Sequence, residues 1–247
     1  MSESQATLGH PAARNQHHAI DAVAGTPQVS PSAPLSKKAV IDRIEKFGVI
    51  PSLRLESAAD AFFVAEALAE VGLPVIEISA VEAEVPTIIS RLVCHHPGML
   101  VGAGNIFDVD TARRCLDAGA RFLTSDVFLP AVVELAAKED VAVIAGAMTP
   151  TEIITAWTAG ADFVKVTPCG ANGHDYIRFL KAALPQVRLI AAAGVTQLTA
   201  LSFVKAGATA FTAGDELVPL DAIVLRQTSR IQELARRFLS FAKAGRP

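Results

Sequence analysis

Four stretches of the chain repeat one phrase: "AEVGLPVIEI" (residues 69–78), "LDAGARFLTS" (116–125), "WTAGADFVKV" (157–166) and "VKAGATAFTA" (204–213). Each reads as a helix end, a glycine stop and the start of a strand. Glycine suits the left-handed position just past a helix C-terminus, because it has no Cβ to clash there. A joint repeated in this way means a chain built from repeated α-to-β units.

Between the joints lie short apolar runs that predict strands: 49–55, 75–80, 99–106, 121–126, 141–148, 163–168, 187–194 and 209–214. Stretches of helical period follow each one. Several open with good first-turn residues: Ser57 before "AADAFF", Thr149-Pro150 with Glu152, and Thr196 before "QLTALSF". The last, "LVPLDAIVLRQTSRIQELARRFLSFAKAG", reads as one long closing helix. Strands alternating with helices predict parallel pairing with the helices outside. Eight such units over residues 35–247 predict a single-domain α/β fold, a (β/α)8 TIM barrel. An open doubly wound sheet is the competing architecture. "GAGN" at 102–105 lacks that fold's third glycine and the acidic residue about 20 positions on.

Residues 1–34 differ from the rest, being rich in Ser, Ala, Pro, Gln and His with little periodicity, and read as a flexible N-terminal tail. His10, His17 and His18 lie in it and read as solvated rather than metal-bound, since a fixed metal site needs about four ordered ligands. The formal net charge is −3 with no basic run, and aromatic residues make up 6%, which argues against nucleic acid and anionic membranes as partners. Three widely spaced cysteines, Cys94, Cys115 and Cys169, fit a reducing cytoplasm. The N-terminus shows no signal segment and no apolar run approaches about 18 residues, so a cytoplasmic location is expected.

In such a barrel chemistry sits at the C-terminal ends of the strands. The polar residues expected there are Arg54, Glu77, Ser79, Asn105, Ser125, Asp126, Thr149, Lys165, Thr167, Asp215 and Glu216. Side-chain alternation places Lys165 inside with Phe163 and Thr167, while Val164 and Val166 face the helices. Glu77 falls inside with Val75 and Ser79, and Arg54 with Ser52 and Ile50. Three charges on the inner face read either as an ion-pair network or as chemistry. Burial costs several kcal/mol per ion, and apolar filling is always available, which favours chemistry.

An amine in a water-poor interior resists protonation, and a neutral amine attacks a carbonyl to form a Schiff base. The iminium is then an electron sink for the adjacent carbon–carbon bond. A nearby carboxylate moves protons, and an arginine holds a substrate carboxylate through paired hydrogen bonds. Lysine, glutamate and arginine together suggest a cofactor-free, metal-independent aldolase acting on a 2-oxo acid.

Residues 38–243 resemble the bacterial 2-keto-3-deoxy-6-phosphogluconate (KDPG) / 4-hydroxy-2-oxoglutarate (KHG) aldolases. The resemblance rests on "VIPSLRLESAADA", "VIEIS", "VGAGN", "DAGARFLTS", "AMTPTE", "DFVKVTP" and "LVP", in that order. It implies a trimeric (β/α)8 barrel, with Lys165 as the Schiff-base lysine, Glu77 as the general acid/base and Arg54 as a carboxylate ligand. The remaining substrate-binding positions would be Asn105, Ser125, Thr167, Gly194, Gly214 and Asp215.

Against the family pattern, Asn105 replaces a threonine, Asp126 a proline and Ala145 a proline. The phosphate cradle changes most: Ala191-Ala192-Ala193-Gly194 stands for Pro-Thr-Gly-Gly, and Ala213-Gly214-Asp215-Glu216 for a glycine-serine turn. Alanine methyls would crowd an anion, and two carboxylates at the start of a helix would occupy its positive end and repel phosphate. The expectation is therefore a pyruvate-type donor with a non-phosphorylated aldehyde partner. Decarboxylation or dehydration through the same enamine, or a non-catalytic binding or regulatory barrel, are the alternatives. Cys169 reads as a neutral liner of the mouth, and Cys94-His95-His96 as a surface turn.

Overall fold

The computed structural model describes residues 35–55, 57–81 and 83–245. Within them the eight apolar runs become β1 (Val49–Leu53), β2 (Val75–Ser79), β3 (Leu100–Gly104), β4 (Phe122–Thr124), β5 (Ala142–Ala147), β6 (Phe163–Val166), β7 (Leu189–Ala191) and β8 (Ala210–Ala213). Each strand pairs in parallel with its sequence neighbours, and β8 pairs back onto β1, so the sheet closes. The strands stop short of the expected runs. Their last residues leave the ladder to build the mouth. The expected tail, with its three histidines, lies outside the described residues.

The helices are α1 (Lys37–Phe47), α2 (Ala58–Glu70), α3 (Val85–His95), α4 (Val109–Asp117), α5 (Pro130–Lys138), α6 (Pro150–Thr158), α7 (Gly173–Ala183), α8 (Ala200–Lys205), α9 (Leu220–Val224) and α10 (Thr228–Ala244). The repeated glycines Gly72, Gly119, Gly160 and Gly207 all adopt positive φ, from 77° to 105°, as the joint requires. Ser57 caps α2 by accepting from the Asp60 amide. The "MTPTE" stretch is a helix start: Thr149 and Glu152 form a reciprocal capping box with Pro150 in the first turn. Hydrogen bonds from the Thr149 and Met148 amides hold the Glu152 carboxyl below the usual carboxylate range.

Two helix expectations are corrected. α8 begins after Thr199 rather than at Thr196, because the Thr196 amide donates to Thr199 Oγ1 and a turn intervenes. The long closing helix is two, α9 and α10. Between them Arg226 adopts φ 51°, a left-handed conformation that an α-helix cannot contain. Its guanidinium is anchored 2.8 Å from Asp60 and over the Phe63 ring. No described helix is long and apolar enough to cross a membrane.

The expected alternation sorts the core into two bodies. Inside the barrel Ile50, Val75, Leu100, Phe122, Ile144, Phe163, Ile190 and Ala210 pack together, and Val40 and Ile44 of α1 join them. α1 thus plugs the barrel beside the strand starts. Outside, Val164, Val166, Ile76 and Ile78 belong to the layer between sheet and helices. The glycines of "VGAGN" serve the inner layer rather than a nucleotide. A Cβ on Gly102 would lie 2.2 Å from the Phe122 ring, so this ring fills the space that a β3 side chain would take.

The close approach gives the first prediction. Gly102→Ala overpacks the plug and is expected to cost about 1–3 kcal/mol, read as a lower urea midpoint at unchanged slope. Adding Phe122→Leu should recover part of that loss. Additive losses in the double variant would contradict the assigned contact.

Candidate active site

One layer above the plug the inward positions become polar. They are Ser52 on β1, Glu77 on β2, Thr124 on β4 and Lys165 on β6. Glu77 and Lys165 are 1% and 3% exposed, and they are the two fully buried charged side chains among the described residues. Glu77 is fixed from both sides. Ser52 Oγ donates to its Oε1 at 2.6 Å and Thr124 Oγ1 to its Oε2 at 2.9 Å. Each hydrogen bond to a charged group contributes about 1.5–3 kcal/mol, which offsets part of the cost of burying the carboxylate. Gly104 leaves the space it occupies, since a Cβ there would lie 2.3 Å from Oε1.

The ion-pair partner of Lys165 is Asp126, a residue expected at the end of the fourth strand but given no role there. Lys165 Nζ is 2.7 Å from Asp126 Oδ1, while no ion pair within 4.0 Å joins it to Glu77. Asp126 follows β4 in a loop that is held in place. The Ser125 amide donates to the Ile144 carbonyl, and the Val127 amide to Ser125 Oγ. Gly146 of β5, the register partner of Lys165, lets this loop close over the strand. A Cβ on Gly146 would lie 2.1 Å from the Asp126 carbonyl carbon. Strict alternation from Phe122 puts Thr124 and Asp126 inward and Ser125 outward. The same alternation is visible in the sequence, and it corrects the expectation that Ser125 binds substrate.

These residues open into a cavity of about 610 Å³ at the C-terminal ends of the strands. Of the expected site residues, Arg54, Glu77, Asn105, Lys165, Thr167, Gly194, Gly214 and Asp215 line it, together with Ser52, Asp126, Thr196, Thr212 and Glu216. Ser125 does not line it and is 4% exposed, its hydroxyl spent on the loop. Arg54 is on the expected side of β1 but one residue beyond the strand, so it is an exposed mouth residue rather than a third interior charge. Asn105 takes φ 54°, a conformation asparagine tolerates better than most residues.

The altered loops keep a tight backbone. The Cys169 and Gly170 amides donate to the Ala192 and Ala193 carbonyls, and Gly170 and Gly194 meet backbone to backbone. Ala193 stands at φ 58°, which costs an alanine about 1 kcal/mol. Asp215 and Glu216 are not at a helix start as expected. They lie in a turn closed by the Leu217 and Val218 amides on the Gly214 carbonyl, and α9 begins only at Leu220. Both residues are exposed and line the cavity. The wall thus carries four carboxylates, Glu77, Asp126, Asp215 and Glu216, against two cations, Lys165 and Arg54.

Cys169 is buried rather than lining the cavity, and burial pushes its thiol up to about 12. Cys94 is exposed, while His95 and His96 close α3 just before β3, with the His95 ring 4.7 Å from that of Phe62.

Comparison with known proteins places this geometry. The family model for KDPG and KHG aldolases matches residues 40–234. The chain is 32% identical over 171 residues to a probable 2-dehydro-3-deoxy-6-phosphogalactonate aldolase of Rhizobium meliloti (strain 1021), covering 68% of this chain and 81% of that one. It is 24% identical to the KHG/KDPG aldolase of Escherichia coli (strain K12), over 79% of this chain and 92% of that one. Its fold is shared with the KDPG aldolase of Legionella pneumophila, solved with pyruvate captured as a covalent carbinolamine, at TM-score 0.74 and 23% identity over 79% of this chain and 96% of that one. With a matching family model over most of its length, a closed barrel and a buried lysine at the strand ends, the chain belongs to the KDPG and KHG aldolase family, class I aldolases that break a carbon–carbon bond of a 2-oxo acid through a lysine Schiff base.

Proposed function

We propose that Lys165 forms the Schiff base with the C2 carbonyl of a pyruvate-type 2-oxo acid, and that Glu77 moves the proton at the substrate carbon beside it. The observation that carries this reading is the burial of the Lys165 amine at 3% exposure on the floor of the cavity, in one wall with Glu77. Nucleophilic addition of the amine to C2 and loss of water give an iminium, which accepts the electrons of the breaking C3–C4 bond. The aldehyde leaves and an enamine remains. Protonation of that enamine at C3, followed by hydrolysis, releases the 2-oxo acid and the lysine. Arg54 and Asn105 are the groups offered to the substrate carboxylate, with the guanidinium as its counter-charge. Thr167, Gly194 and Gly214 complete the wall.

The partner aldehyde in this reading carries no phosphate. A dianion entering between Ala193 and Asp215 meets Asp215 and Glu216 in the same stretch of wall, and like charges at such range oppose binding. Hydroxyl groups find donors and acceptors there in Thr196, Thr212 and the carboxylates. The proposed reaction uses no cofactor. Assembly as a homotrimer and a cytoplasmic location complete the reading, and both rest on the family.

The reading is tested by cleavage of a non-phosphorylated 4-hydroxy-2-oxo acid, with released pyruvate measured. Lys165→Ala should lower kcat by at least about four orders of magnitude, and Glu77→Gln by about 10²–10⁴-fold. Gly104→Ala, which displaces the Glu77 carboxylate, should follow Glu77→Gln. Full activity in Lys165→Ala would refute the Schiff base. For the partner aldehyde, glyceraldehyde should exceed its 3-phosphate in kcat/KM by about tenfold or more, the equivalent of about 1.4 kcal/mol. The reverse preference would refute the phosphate-free acceptor.

A further inference from the structure

In the Schiff-base sequence the carboxylate paired with the nucleophile has no task. Asp126 Oδ1 lies 2.7 Å from Lys165 Nζ, whereas Glu77 makes no ion pair with it. We propose that Asp126 is a second catalytic carboxylate, one that carries the protons on the nitrogen side of the reaction and then serves as counter-ion to the iminium. The inference rests on the Schiff-base reading and divides the proton work of that site between two groups.

Three observations support the division. Glu77 is held in place by the hydroxyls of Ser52 and Thr124 and makes no ion pair with the amine, whereas Asp126 does. The Lys165 side chain is 4% exposed, which leaves its proton no ready exit to bulk water, while that of Asp126 is 44% exposed and can exchange with solvent. The Asp126 backbone is also built to stay. The Ser125 and Val127 amide bonds hold the loop, and Gly146 gives up its side chain to let it close.

The steps balance. Asp126 accepts one proton from the Lys165 ammonium, leaving a neutral amine and a carboxylic acid. The amine lone pair forms the bond to C2, and the nitrogen proton passes to the former carbonyl oxygen, giving a neutral carbinolamine. Asp126 returns its proton to the carbinolamine hydroxyl, which leaves as water while nitrogen forms the double bond. The product is a protonated iminium with a carboxylate beside it. No oxidant, reductant or further reactant is needed. The arrangement also orients the substrate. Its carboxylate is repelled from the β4 side and drawn to Arg54, beyond the end of β1 and three strands away around the barrel.

The test separates nitrogen from carbon. Adduct formation with pyruvate is followed by rapid borohydride quenching, and proton transfer at carbon by deuterium entry into the pyruvate methyl group. Asp126→Asn should slow adduct formation by about 10²-fold, with methyl exchange per adduct formed unchanged. Glu77→Gln should do the opposite. Asp126→Ala should be slow in the same way and be accelerated by added formate, a rescue that a merely structural role would not show. Adduct formation at the wild-type rate in Asp126→Asn, or slow formation in Asp126→Ala that formate leaves unchanged, would overturn the inference while the Schiff base stands. No adduct in the wild-type protein would overturn both.

Discussion

The upper half of this barrel is organised around one costly group. The Lys165 amine is almost removed from water, and the protein answers with a carboxylate at 2.7 Å rather than with solvent. Breaking such a pair by removing one partner is far more costly than never building it. The other half of the barrel is apolar and supplies stability against which that cost is set. Phe122, Phe163, Ile190 and their neighbours, sealed by α1, form a plug that needs no polar partner. Stability and chemistry are thus divided between two layers of one barrel, as parallel strands with alternating side chains permit.

Both layers take space from glycines of β3 and β5. Gly102 admits the Phe122 ring, Gly104 the Glu77 carboxylate, and Gly146 the backbone that carries Asp126. A large or charged group from one strand occupies the volume that its neighbour leaves. The cavity above carries more carboxylates than cations. In the proposed reading the substrate carboxylate is placed beside Arg54, and the surplus of acidic residues opposes a second anion. That asymmetry supports a 2-oxo acid with an uncharged partner.

Much of this was legible in the sequence. The repeated glycine joint and the period-two strands determine the barrel, because left-handed helix stops and alternating burial leave few other closures. Alternation also placed Lys165 and Glu77 on the inner face. What it could not give was height along the strand. Arg54 shares a face with Ser52, yet one residue past the end of β1 its side chain reaches solvent. Asp215 and Glu216 were expected at a helix start, but the turn at Gly214 delays α9. Asp126 is legible through its alternation with Phe122 and Thr124, which turns Ser125 outward. Side-chain pairing across strands, as between Thr124 and Glu77, depends on stagger around the barrel, which no local pattern encodes.

The most direct test of the account is a crystal structure of the protein reduced with borohydride in the presence of pyruvate. The account predicts continuous density from Lys165 Nζ to the second carbon of a three-carbon unit, with its carboxylate toward Arg54 and the secondary amine beside Asp126. An unmodified Lys165, or a pyruvyl group carried on a different lysine, would contradict it.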